Sequence, residues 1–147
     1  LIDDEFIHAK KIFKYLATLF GTNKSKTVSI IDLNDLNNFF YANMKIQNYI
    51  NNDIINYLND VDYLFLNRLG VGLKSEWFIN TLINILLTRE ANNKITFISC
   101  PIDIFISKFN LINHYNDSIN NSAIDKVEDL LKATIKRTTN KFVAKKS

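Results

Sequence analysis

The sequence predicts an α/β protein, a parallel sheet flanked by helices on both faces. Apolar or β-branched runs at residues 27–31, 61–66 and 95–99 alternate with helical periodicity, as parallel strands joined by helical crossovers require. The middle run, "VDYLFL", is nearly all apolar, which is how a strand covered on both faces reads. With 147 residues, 47% hydrophobic, 22% charged and 12% aromatic, residues 1–147 suit one ordered domain with a sizeable core.

Taken in order, Ile7, Ile12, Phe13, Leu16 and Phe20 recur at three-to-four spacing and predict an amphipathic helix over 4–20, stopped at Gly21 and the polar loop "TNKSK". "TVSII" (27–31) is the first strand. Asp32 or Asn34 can cap a short helix through Tyr41, and a further helix spans about 46–59. The strand at 61–66 leads into the loop "RLGVGLK". Ser75 is placed to cap a long helix to Arg89, closed by "ANNK". "ITFIS" (95–99) is the third strand, ended by Pro101. A short helix (102–109), a polar loop, a helix over 122–136 and an edge strand at 141–145 complete the expectation.

Several function classes fall away. One cysteine excludes an internal disulfide framework and any multi-cysteine metal site. No apolar run approaches a membrane span, so the chain reads as a soluble, cytoplasmic protein with no membrane partner. No nucleophile–base pair, paired carboxylates or dinucleotide glycine fingerprint is present, and neither a cofactor nor a metal is expected. Leu1 is not an initiator residue, so the chain reads as a fragment or a processed product. The net charge of +3 hides an asymmetry. Lys132, Lys136, Arg137, Lys141, Lys145 and Lys146 stand in a C-terminal segment without an acid, suited to phosphates or an acidic partner, although such segments are more often merely solvated.

In parallel α/β sheets, ligands gather beyond the carboxyl ends of the strands. Here those ends are Asp32, Asn67-Arg68 and Ser99-Cys100, all on one edge of the sheet.

The stretch "VDYLFLNRLGVGLKSEWFINTLINILLTREANNKITFISCP" resembles the core of bacterial replicative-helicase loaders of the DnaC/DnaI type, which are AAA+ ATPases with a P-loop NTPase core. In that family an apolar strand ends in Asp-Asp-Leu-Gly or Asp-Asp-Ile-Gly. A Ser-x-Trp helix start follows, then a long helix ending near an Arg, then a Thr-Ser-Asn strand end. Leu69-Gly70, Ser75, Trp77, Arg89 and Ser99 stand at the matching places. The similarity is strongest over 60–101, weaker over 8–59 and thin over 120–147. Transposition-associated ATP-binding proteins and initiator ATPases share parts of the pattern.

The resemblance implies a nucleotide site, and this sequence departs from it part by part. Hydrolysis needs a glycine-rich turn around the phosphates, a Lys on them and a Ser/Thr on Mg²⁺. The matching positions carry Asp4, Glu5 and Phe6. Two like charges about 4 Å apart cost about 4 kcal/mol at an effective dielectric of about 20, so a carboxylate there repels a triphosphate. The same acids are also ordinary first-turn residues of a helix. Asn67 replaces the metal-holding acid and Arg68 the acid that orients water. An amide is a poor ligand for a hard cation, and a guanidinium cannot accept a proton. Cys100 replaces a phosphate-sensing Asn, and Thr134 is nearest to the family's nucleotide-sensing Arg.

Other residues have plainer readings. Cys100 reads as a structural thiol, His8 and His114 lack companions for zinc, and the stripe Trp77, Phe78, Leu82, Ile85, Leu86 is mostly core. Phe39, Phe40 and Tyr41 are adjacent, so they cannot all face inward.

The expectation is thus an ATPase-inactive loader or primosome-like module of DNA replication. Its partners would be the replicative helicase, a loader-type ATPase subunit or single-stranded DNA. Candidate contacts are Arg68, Lys74 and the basic end from Lys132 to Lys146. An inactive clamp-loader-type subunit and an ATP-binding loader with its phosphate turn outside this chain are the alternatives. The strand expected before the first helix is either outside the chain or reduced to Leu1-Ile2.

Overall fold

In a computed structural model of the chain, the described residues are 1–3, 7–44, 48–70, 75–101 and 121–138. They build α1 (Ile7–Gly21), β1 (Val28–Asp32), α2 (Leu33–Met44), α3 (Asn48–Asp60), β2 (Tyr63–Asn67), α4 (Glu76–Ala91), β3 (Ile95–Ile98) and α5 (Asn121–Thr138). The helix expected at 102–109 and the strand expected at 141–145 lie outside the described residues.

The strands lie in the order β1-β2-β3, parallel throughout, with Ile30 opposite Phe65 and Phe65 opposite Phe97. Period-two alternation then assigns the two faces. Phe65 and Phe97 turn toward α1, where the Phe13 ring stands 5.1 Å from Phe65 and Phe20 stacks on Tyr63 at 4.3 Å. Leu64, Leu66 and Ile98 turn the other way, into a cluster with Leu33, Leu36 and Phe40 of α2, the apolar residues of α4, and Leu131 and Ile135 of α5. Leu64, Phe65 and Leu66 are no more than 1% exposed, so β2 is covered on both faces as its composition predicts. Each such side chain contributes about 1.5–3 kcal/mol of burial free energy.

Helix α4 is apolar around most of its circumference because it is enclosed, packing on β3 from one side and receiving α5 on the other. Its ends are set locally. Ser75 Oγ accepts from the Phe78 N–H at 3.1 Å, satisfying an otherwise orphaned donor. At the other end Asn93 takes φ 54°, while Lys94 N donates to Arg89 O and Asn93 N to Glu90 O. This is a Schellman ending with Asn in the left-handed place.

The face of α1 differs from expectation. Ala9 and Phe13 are buried, whereas Ile7 is 50% and Ile12 40% exposed. At about 100° per residue, Ile7 lies roughly 150° away from the arc centred on Ala9, Phe13 and Phe20, so the five residues of the predicted stripe cannot share one contact. Small Ala9, fully buried on this arc, leaves the helix room to approach the sheet.

Leu1–Asp3 run alongside the end of β3. Ile2 forms a parallel bridge with Cys100, Leu1 O accepts from Cys100 N at 3.0 Å, and Asp3 N donates to Cys100 O at 2.9 Å. Leu1–Asp3 thus add a lane of backbone pairing beside β3. No helix among the described residues is long and apolar enough to cross a membrane.

Candidate functional site

The carboxyl ends of the three strands meet as the sequence predicts. Asp32 ends β1 and caps α2. Its Oδ1 accepts from the N–H groups of Asn34 (2.9 Å) and Asp35 (3.2 Å), while Oδ2 receives Nε–H of Arg68. Burial pushes the Asp32 carboxyl upward. The bond from Arg68 and the two amides outweigh that and hold it below the usual carboxylate range. The same bond, with the charges of Asp32 and Asp35, raises the Arg68 guanidinium above its ordinary value.

Ser99 is fully buried and ties the neighbouring strand end. Its Oγ donates to Asn67 Oδ1 at 2.5 Å and accepts from Arg68 N at 3.0 Å, and its carbonyl accepts from Leu69 N at 2.8 Å. Arg68 itself takes φ 61°, a left-handed backbone uncommon for a residue with a side chain. Its own N–H bond to Ser99, the bond from the next residue's N–H to the Ser99 carbonyl and its side-chain bond to Asp32 hold it there. Gly70 follows at φ 92°, where glycine alone is unstrained.

A cluster of this kind positions backbone and offers little chemistry. Asp32 is the carboxylate bonded within it among the described residues, and a guanidinium already pairs with it. Among the described residues no group of three His, Cys, Asp or Glu could hold a metal ion. Cys100, 6% exposed, lies in the core cluster and not at an open strand end.

Asp3 completes the picture at the start of α1. Its side chain is only 4% exposed, Oδ2 accepts from Ala9 N at 2.6 Å, and Oδ1 stands 3.5 Å from Nδ1 of His8. The first-turn amides of a helix favour an anion, and here an anion of the chain itself fills one of those bonds. Asp4, Glu5, Phe6 and Lys74 lie outside the described residues, as do Lys141, Lys145 and Lys146. On α5, Lys132 is half-buried, Lys136 is exposed and Arg137 pairs with Glu90 at 2.5 Å.

Sequence reading passed over the role of Arg89, noting only its place in a pattern. It is 0% exposed, and its guanidinium donates to the carbonyls of Val61 (2.6 Å), Leu58 (2.7 Å) and Ile95 (2.7 Å) and to Thr96 Oγ1 (2.8 Å). Burial lowers it to about 10, with Asp62 opposing, and it remains charged at neutral pH. Nearby, Asp62 accepts from Thr27 N and Lys94 Nζ, which hold its carboxyl well below the usual range. A basic residue ending an apolar helix is the only signal the sequence carried.

The sheet and its helical layers define an α/β fold of parallel strands covered by helices on both faces. Solved structures share this fold. AMPPCP-bound DnaA from Aquifex aeolicus superposes with a TM-score of 0.53 at 14% identity, covering 74% of this chain and 30% of that one. A crystal structure of DnaI gives 0.50 at 18%, covering 70% and 52%. The replication initiator DnaA bound to AMPPCP and single-stranded DNA gives 0.51 at 15%, covering 73% and 30%. The chain thus spans between about a third and a half of the structures it matches, and at these identities the likeness establishes the fold. No family model matches the chain, and no curated protein matches it.

Proposed function

We propose that this chain is an ATPase-inactive AAA+-like module of DNA replication, a degenerate counterpart of the helicase loaders. It acts by contact with the replicative helicase or a loader-type ATPase subunit, and its basic residues add contact with single-stranded DNA. The replication context is carried over from similar structures, which include DnaI and DnaA.

One observation carries the loss of nucleotide chemistry: the residues at the expected nucleotide edge are engaged with one another. Arg68 pairs with Asp32, Asn67 accepts from Ser99, and buried Asp3 occupies an amide of the first helical turn. A triphosphate arriving there meets the Asp3 carboxylate and, among the described residues, finds no paired acids for Mg²⁺. A protein in this state works through its surface. Two exposed aromatics on α2, Phe39 (41%) and Tyr41 (67%), beside buried Phe40, offer part of such a surface.

Affinity capture with the full chain tests the reading, using purified replicative helicase and sliding clamp as alternative prey. Retention of the helicase is expected. Retention of the clamp alone would point to the clamp-loader alternative, and retention of neither would remove the proposed partner.

A further inference from the structure

We propose that the outward face of α1 is a docking surface for single-stranded DNA. The choice of DNA rests on the replication reading above, but the surface is distinct from the strand-end cluster and from the basic C-terminal segment.

Charge is strongly segregated in this chain. Residues 7–26 contain five lysines and no acid, whereas residues 27–130 carry seven basic side chains against twelve acidic ones. Lys10, Lys11 and Lys14 are exposed, and none forms an ion pair among the described residues. Lys10 and Lys14 are four apart and Lys11 and Lys14 three apart, spacings at which like charges weaken a helix. Among the described residues no ion pair offsets that repulsion, and a bound polyanion would.

Beside the lysines stands Tyr15, 68% exposed, with Ile12 at 40% and Leu19 at 51% three before and four after it. The opposite side of α1 is fixed to the sheet through buried Ala9 and Phe13, so this outward face is presented on a rigid element. Cations interleaved with a flat, exposed ring match a ligand that repeats phosphates and unstacked bases. An acidic polypeptide satisfies the lysines but leaves the ring without a stacking partner. A lipid surface needs a deeper apolar stripe than three side chains, because the most apolar side of the helix already faces the sheet. Duplex DNA keeps its bases stacked away from Tyr15.

The test is anisotropy of a labelled oligothymidylate titrated with the full chain at two salt concentrations. Tyr15→Ala is expected to weaken binding by about 5- to 150-fold, while Tyr15→Phe, which keeps the ring, retains it. Combined Lys10→Ala, Lys11→Ala and Lys14→Ala should flatten the log–log salt dependence by about 2. All these positions are exposed, and far-ultraviolet dichroism confirms that each variant folds. Three results overturn the proposal: no binding by the unmodified chain at low salt, unchanged affinity in the α1 variants with loss only on Lys132→Ala/Lys136→Ala, or equal displacement by polyglutamate, RNA or duplex DNA. Helicase capture by the α1 variants is read separately, so failure of this surface is distinguishable from failure of the replication reading.

Discussion

Arg89 shows how one side chain can be structural while looking functional. Its buried guanidinium gathers carbonyls from the end of α3, the approach to β2 and the first residue of β3, closing the amino edge of the sheet. Arg89→Met orphans those acceptors and is expected to cost about 3–5 kcal/mol in urea unfolding, with Arg89→Lys recovering only part because an ammonium cannot reach the same fork of acceptors. Asp32 gives a different signature. Its carboxyl titrates lower in the folded chain than in the unfolded one, so its contribution is complete above about pH 4 and disappears as the pH falls through the folded value. Unfolding midpoints measured from pH 7 down to acid should decline in that window, and Asp32→Asn should shallow the decline. The remainder belongs to other carboxylates such as Asp62, which is lowered for the same kind of reason.

At the level of the elements, β2 and α4 were the most legible. An apolar run of strand length and a Ser75 cap before a long apolar stretch left little choice, and the structure differs only by a residue or two at the ends. Asp62 falls outside β2 because its side chain is engaged with Thr27, and Val61 because its N–H closes α3 onto Tyr57. The face of α1 was not legible, since isoleucines at positions 7 and 12 satisfy a spacing rule without revealing which arc the sheet contacts. Phe13→Ala should therefore cost about 3–5 kcal/mol, whereas Ile12→Ala should change stability by no more than about 0.5 kcal/mol. Comparable losses at the two positions would contradict the orientation of the helix. The burial of Ser99 and Asp3 was not legible either, because a serine near a strand end and an acid near a helix start are common, and nothing in the sequence shows which are enclosed.

Over the whole molecule, parallel order and the meeting of Asp32, Asn67-Arg68 and Ser99 at one edge followed from strand–helix alternation alone. What alternation could not convey was how those residues would be occupied. The fold brings an acid, an amide, a guanidinium and a hydroxyl together, and they satisfy one another. The central claim is that such an edge, with Asp3 on the first helix, holds no triphosphate. Isothermal titration of the full chain with AMPPCP, with and without Mg²⁺, tests it most directly. No measurable heat of binding up to millimolar nucleotide is the expected result; saturable, Mg²⁺-dependent binding in the micromolar range would contradict the account.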